Sequence, residues 1–449
     1  MWRSVKWRWW LAALAGLVLV GFVPAAVAQD DDEQEEEFAS SQPAILPEGL
    51  TDDLTVWPNK TCYRTSEPWI WQNHEQIRKI KPRVLILNFA NDASMEKIQD
   101  HAQRLIKAFA ESTKYHGFEN PDAPAFLEYE IVKIVDLRDR PIPKEREHRN
   151  SALLPARPDG PQDCYCDYSQ FYTDAFARYY GFADPHVKNQ RRYLNLHELI
   201  DAGIVHEVWF YCVHDHQEGW PAREVIEYKQ YYDENCRPIP GVHGPAGNGH
   251  SPTMPWSGRS FKMAFFNPHR DIGCALENYA HGLEGIANYN AIKYYRKYFN
   301  EYAELDLNTR YKMPFRCFYD VPYDAKEPVT YPTKTSCKVM YKGKEYTIDP
   351  FLAVGGNVHF PPNARHHYDL DSPFTVSSTM ENYRLRNGPD GKDLVKDFNS
   401  EKFKLFADIA PDCMGRWTVY WRQCMPGLDN HCVDDDGKPM KNWWVFLIY

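Results

Sequence analysis

From residue 80 onward, apolar and polar positions recur with two alternating periods. Residues 83–89 (RVLILNF) are a nearly continuous apolar run between Pro82 and the Asn91-Asp92 turn signal, the pattern of a strand buried on both faces. Ile98, Ala102, Leu105, Ile106 and Phe109 then recur at helical spacing behind the N-cap candidate Ser94, with Gly117 beyond the end. Residues 129–137 (YEIVKIVDL), 205–212 (VHEVWFYC) and 260–267 (SFKMAFFN) predict three further strands. Residues 194–202 predict a short helix closed by Gly203, and residues 274–300 the longest helix. Parallel strands need crossover connections, so strands alternating with helices over residues 81–309 predict an α/β domain: a mostly parallel sheet with flanking helices. Ligands of such sheets bind beyond the carboxyl ends of the strands. From residue 310 the texture changes to short apolar runs, Pro, Gly, Asn and five cysteines. That pattern predicts a β/loop-rich, disulfide-containing C-terminal region over residues 310–449, either a second domain or part of the first. Residues 445–448 read as a closing strand, with Trp443 and Trp444 in the core.

The amino terminus has a different pattern. Arg3, Lys6 and Arg8 precede an apolar run over residues 9–23, and Ala26-Val27-Ala28 supplies the small residues a signal peptidase requires. The run is shorter than the roughly 20 residues of a spanning helix. Residues 1–28 therefore read as a signal peptide. The expected protein is secreted or periplasmic, with no stable membrane insertion after cleavage. The acidic run at residues 30–37 predicts a disordered leader within an N-terminal extension over residues 29–80.

Formal net charge is −10 over 449 residues, and loss of the three basic leader residues makes it more negative still. An acidic chain without a Lys/Arg cluster argues against nucleic acid as a partner. No G-x-G-x-x-G or P-loop follows a strand, so a nucleotide site has no support. Eleven cysteines in an exported chain read as four or five disulfides rather than zinc ligands, because C-x₂-C knuckles are missing. Aromatic residues make up 15% of the chain, which suits either stacking on sugar rings or a large core.

Candidate chemistry centres on the long helix. Glu277, His281, Glu284 and Asn288 are spaced by four, three and four residues, so they form one polar stripe. Two carboxylates and an imidazole on one face can bind a divalent metal or exchange protons. The same stripe also fits the solvated side of a helix whose apolar side is Leu276, Ala280, Leu283 and Ala287. Gly282 and Gly285 beside it suggest that another segment or a ligand approaches closely. After the third strand, His214 and His216 form an H-x-H pair that could hold metal with Asp215 or Glu218, or could simply lie in a hydrated loop. Cys212 lacks the small neighbours of a nucleophile elbow. The glycine- and proline-rich stretch 241–258 reads as a lid, a binding loop or a surface excursion. Residues 355–363 (GGNVHFPPN) form a stiff loop presenting Asn357, His359 and Asn363 for binding or for backbone capping, and His366, His367 and Asp369 follow closely.

The VHEVWFYC strand, the Asn267-x-x-Arg270-x-x-Gly273 approach to the His281 helix, the GGNVHFPPN loop, Tyr368-Asp369 and Asn442-Trp443-Trp444 together resemble an uncharacterised family of large secreted bacterial proteins. The resemblance spans residues 80–449. It implies an exported α/β protein in a glycan setting by association, and it implies no particular chemistry. The leading expectation is a hydrolase-like enzyme acting on an extracellular glycan, small-molecule or ester-type substrate. His281, Glu284, Glu277 and Asp369 are its catalytic candidates, and Asn267, Arg270, Asn357, His359 and Asn363 its substrate-binding candidates. His214 and His216 are the expected ligands of a divalent metal such as zinc. The competing expectation is a non-catalytic glycan-binding or cell-surface protein, in which those groups scatter and an exposed row of Trp or Tyr makes the contacts.

Overall fold

A computed structural model describes residues 45–449 except 65, 156–164, 188–191, 215–220 and 323–325. The expected signal peptide, the acidic run, Cys164 and His216 lie outside the described residues. The central sheet has six strands: β1 (Arg83–Asn88), β2 (Glu130–Asp136), β3 (Glu207–Tyr211), β4 (Val225–Tyr232), β5 (Pro238–Pro245) and β6 (Phe261–Phe266). Their order is β2-β1-β3-β6-β4-β5. The first four of that order are mutually parallel, and the β4–β5 hairpin joins antiparallel through β4 against β6.

Strands β1, β3 and β6 are buried on both faces, with alternate side chains entering two separate cores, while the edge strand β2 is half-buried. Val84, Ile86, Trp209, Tyr211, Ala264 and Phe266 face one core, while Leu85, Leu87, Val208, Phe210, Met263 and Phe265 face the other. This is why the sequence shows unbroken apolar runs there instead of period-two alternation. Helices α1 (Met95–Ser112) and α3 (Ile272–Asn288) contribute to the first core, and α2 (Leu196–Asp201) to the second. Ser94 caps α1 as its position suggested, its side chain accepting from Lys97 N.

The β4–β5 hairpin was not legible in the sequence. Its strands mix charges with Pro238, Pro240 and Pro245, which count against a strand, yet β5 is the sheet edge, where proline is tolerated. The hairpin thus takes the first residues of the stretch expected to be a loop. The expected long helix is two helices, α3 and α4 (Lys293–Tyr302), parted at Asn290, which adopts φ 57°. Asparagine is among the few residues that enter that conformation cheaply.

Ala44–Tyr449 forms one compact unit, so the C-terminal region shares the core of the sheet. That region contributes a three-stranded antiparallel sheet, β7 (Val329–Thr333), β8 (Ser336–Tyr341) and β9 (Lys344–Ile348), and helices α5 (Gly415–Gln423) and α6 (Trp444–Ile448). Residues 445–448 are therefore helical and not a closing strand. A run of five apolar residues is too short for periodicity to separate the two. Trp443 and Trp444 are buried, as expected.

Gly273 and Gly415 let α3 and α5 meet at their amino ends. A Cβ on Gly273 would lie 1.9 Å from the Asp412 carbonyl oxygen, and one on Gly415 would lie 2.4 Å from the Gly273 Cα. Beside this contact, Cys274 and Cys413 form a disulfide. It is the one bridge among the described residues, against the four or five expected. Seven further cysteines, Cys424 and Cys432 among them, are buried free thiols. Buried thiols behave as small apolar side chains, and a cysteine count alone does not reveal that.

Candidate functional site

The stripe on α3 meets the stiff loop at residues 355–363. His281 Nε2 lies 2.9 Å from His359 Nε2, Glu277 Oε1 lies 3.2 Å from His359 Nε2, and Glu277 Oε1 lies 3.9 Å from His281 Nε2. These separations bracket the roughly 3.3 Å expected between two ligand atoms held about 2.05 Å from a tetrahedral ion. Two imidazoles and one carboxylate thus present a face of donors suited to a divalent metal.

The surroundings orient all three. Glu284 Oε2 lies 2.9 Å from His281 Nδ1, so a proton on Nδ1 leaves the Nε2 lone pair aimed at the cluster. Glu284 is itself fixed: Tyr319 OH donates to Oε1 and Oε2 (2.8 and 3.0 Å), and Val358 N donates to Oε1 (3.2 Å). Glu277 Oε2 accepts from Met414 N at 3.2 Å. His359 rides on a loop pinned from α5, where Trp417 Nε1 donates to Asn357 O (3.0 Å) and Trp421 Nε1 to Gly356 O (3.2 Å). Gly356 has φ 60°, and a Cβ there would lie 2.2 Å from Phe360 O, so this loop requires glycine. On its other side His359 approaches His367, Nδ1 to Nδ1 at 3.4 Å, and the Tyr368 ring at 4.1 Å between centroids.

Electrostatics reinforce the geometry. Burial pushes the Glu277 carboxyl up, but the His359 hydrogen bond and the nearby imidazoles outweigh it and hold the carboxyl below its ordinary value. Burial lowers the His281 imidazole, but Glu284, Glu277 and Glu224 more than offset this and raise it. His359 is lowered by burial and by His281, so it stays neutral more readily. One imidazole favouring a proton beside one that resists it is the pattern of a shared site for positive charge.

A cavity of about 340 Å³ opens beside the cluster, lined by His214, Glu224, Asn267, Arg270, Glu277 and Tyr368 among others. His214 follows β3 and Asn267 follows β6, so the cavity occupies the carboxyl edge of the sheet, where a ligand was expected. Glu224, just before β4, was missed in the sequence. Its backbone carbonyl accepts from Phe265 N at 2.9 Å, and its carboxylate accepts from the Asn248 amide. Burial raises its carboxyl above the ordinary value, and Glu277 adds to the shift while His281 opposes it. No local pattern marks Glu224, since a glutamate among mixed polar residues is ordinary. Tyr319, in a short turn, was equally silent.

The expected residues sort clearly by position. Glu277, His281 and Glu284 converge, whereas Asn288 is exposed and accepts from Arg316. His359 joins the donor cluster itself. His214 faces the cavity and packs against Phe265, and no described residue places it among the three donors. Asp369 is not in the cluster: Arg365 holds it with bonds of 2.7 and 3.0 Å, which leaves it a turn-fixing role in place of the expected catalytic one. Asn363 is also structural, its amide spent on Phe374 O (2.9 Å) and Ser400 Oγ (3.2 Å). Asn357 caps its own loop through Phe360 N. Asn267 lines the cavity but its side chain accepts from His269 N in a turn. Arg270 lines the cavity. Cys212 is buried, with a thiol pushed well above its ordinary value by burial, which removes it as a nucleophile. Gly285 does admit a close approach: a Cβ there would lie 2.3 Å from Gly247 O, while Gly282 faces open space.

Compared with family models, curated proteins and solved structures, the chain matches none of them. Among the described residues no helix is long and apolar enough to cross a membrane.

Proposed function

We propose that the protein is an exported metal-dependent hydrolase acting on an extracellular ester- or glycan-type substrate. The observation that carries this reading is the convergence of Glu277 Oε1, His281 Nε2 and His359 Nε2, with Glu284 beside the imidazole of His281 and Glu277 shared between this cluster and the lining of the cavity. A divalent ion on this donor set, zinc being the best match to two imidazoles and a carboxylate, would supply Lewis acidity and a water ionised near neutral pH. The chain's own groups do the rest. Glu277, His281 and His359 would hold such an ion, and Glu277 lines the cavity as well. Glu224 accepts the proton of the attacking water and returns it to the leaving oxygen, and its raised pKa suits both halves of that exchange. Tyr368 closes the cavity over His359.

The non-catalytic alternative called for an exposed aromatic row. Among the described residues Tyr289 and Tyr368 are the exposed aromatic side chains, which does not make a platform. The test is elemental analysis of purified protein together with a screen of ester and glycan substrates. About one equivalent of a divalent metal is expected in the native protein, with loss of metal and hydrolysis together in His359→Ala. Native protein that takes up no metal after incubation with zinc overturns the reading.

A further inference from the structure

Arg270 is an exposed guanidinium at the cavity that makes no side-chain ion pair among the described residues. Among the other charged groups lining the cavity, Asp271 is paired with Arg104 at 2.7 Å, Glu277 is committed to His359 and Met414 N, and the Glu224 carboxylate accepts from the Asn248 amide. Arg270 Nη2 contacts Cys413 Sγ at 2.8 Å, a weak acceptor without charge that steadies the guanidinium against the disulfide. The amino end of α3 offers no competing anion site, because the Asp412 carboxylate already accepts from Asp271 N (2.9 Å) and Cys274 N (3.3 Å).

Geometry sets the span to the donor cluster. Arg270 rests on the bridge to Cys274, Glu277 lies one helical turn further along α3, and His281 a second turn. Arg270 and Glu277 line the same cavity, so a ligand in it can meet the guanidinium and one of the three donors together. A guanidinium fork matches a planar carboxylate in two parallel hydrogen bonds. Glu277 and Asp271 line the same cavity, so its acidic surroundings favour a monoanion over a dianion.

We propose that the substrate carries a carboxylate, bound by Arg270, a few bonds from the group that is hydrolysed. This rests on the metal-dependent reading above and narrows the substrate to acidic esters or acidic glycan units. The test compares two metal-directed probes on zinc-incubated full-length protein by calorimetry: acetohydroxamic acid, and the monohydroxamate of glutaric acid, which adds a carboxylate. In the native protein the acidic probe is expected to bind about 10- to 100-fold more tightly, the gain of a charge-assisted pair. In Arg270→Gln the two affinities are expected to become equal, and in Arg270→Lys the preference is expected to return in part. Binding of acetohydroxamic acid serves as the internal control for folding and metal loading in each variant. Equal affinities in the native protein overturn the carboxylate subsite while leaving the metal centre standing. Displacement by inorganic phosphate but not by glutarate also overturns it, in favour of a dianion site. Failure of zinc and both hydroxamates to bind refutes the metal centre, and the subsite with it.

Discussion

Replacing Glu284 by Gln exchanges one oxygen for an NH₂ group in a place where every neighbour has a fixed preference. The carboxylate receives Tyr319 OH, Val358 N–H and His281 Nδ1. A backbone N–H cannot become an acceptor, so the amide must keep its oxygen toward Val358. Its NH₂ then faces His281 Nδ1, which must accept, and the ring proton moves to Nε2, the atom needed for the metal. The opposite flip restores the tautomer but sets N–H against N–H at Val358, which costs about 1–3 kcal/mol for an unmet buried donor. Either route weakens metal binding. Loss of an orienting partner of this kind typically costs 10- to 100-fold in affinity, or about 1.4–2.7 kcal/mol. Competition with a chromophoric zinc chelator at neutral pH gives the affinity directly, and melting of metal-stripped protein separates it from damage to the fold. The reasoning fails if Glu284→Gln binds zinc as tightly as the native protein while its metal-free melting curve is unchanged.

The two helix glycines should respond in opposite directions: Gly285→Ala forces a methyl onto Gly247 O and should cost about 1–3 kcal/mol, whereas Gly282→Ala enters open space and should gain about 0.5–1 kcal/mol, both read from urea midpoints. Asp136 receives Arg138 and Arg140, and the Arg138 hydrogen bond leads in holding its carboxyl at about 2. Its folded pKa lies below the unfolded value of about 3.9, so its stabilisation is complete above pH 4 and is lost as pH falls through 2. Asp136→Asn should therefore lose roughly 1–2 kcal/mol at pH 7 and almost nothing at pH 2, and equal losses at both would count against the pairing. The Cys274–Cys413 bridge spans 139 positions and carries a loop-closure ceiling of about 5 kcal/mol. Reduction should lower the denaturation midpoint and loosen the Met414 contact to Glu277, and an unchanged midpoint would argue against it. Thiol titration of denatured, unreduced protein should find at least seven free thiols, and five or fewer would contradict the described cysteines.

The elements legible in the sequence were those whose pattern is local. β1, β3 and β6 announced themselves because strands buried on both faces are continuous apolar runs, β2 because it is rich in β-branched residues, and α1 because its apolar positions and its Ser94 cap follow helical spacing. The polar stripe of α3 was readable for the same reason, since a helix converts spacing into a shared face. What the stripe faces was not readable. His281 lies 78 positions from His359, and only the packing of the 355–363 loop against α3 and α5 brings the two nitrogens to 2.9 Å. The same holds for Glu224 and Tyr319, which lie far along the chain from the residues they serve and carry no motif. Asp369 and Asn363 erred in the opposite sense. Their residue types suited chemistry, but Arg365 and the backbone around Phe374 had claimed their polar atoms. Spacing along a chain specifies faces and runs, because those follow from the helical and strand repeats. Which polar group remains unspent, and what stands opposite it, depends on contacts between distant segments and was decided by the tertiary fold alone.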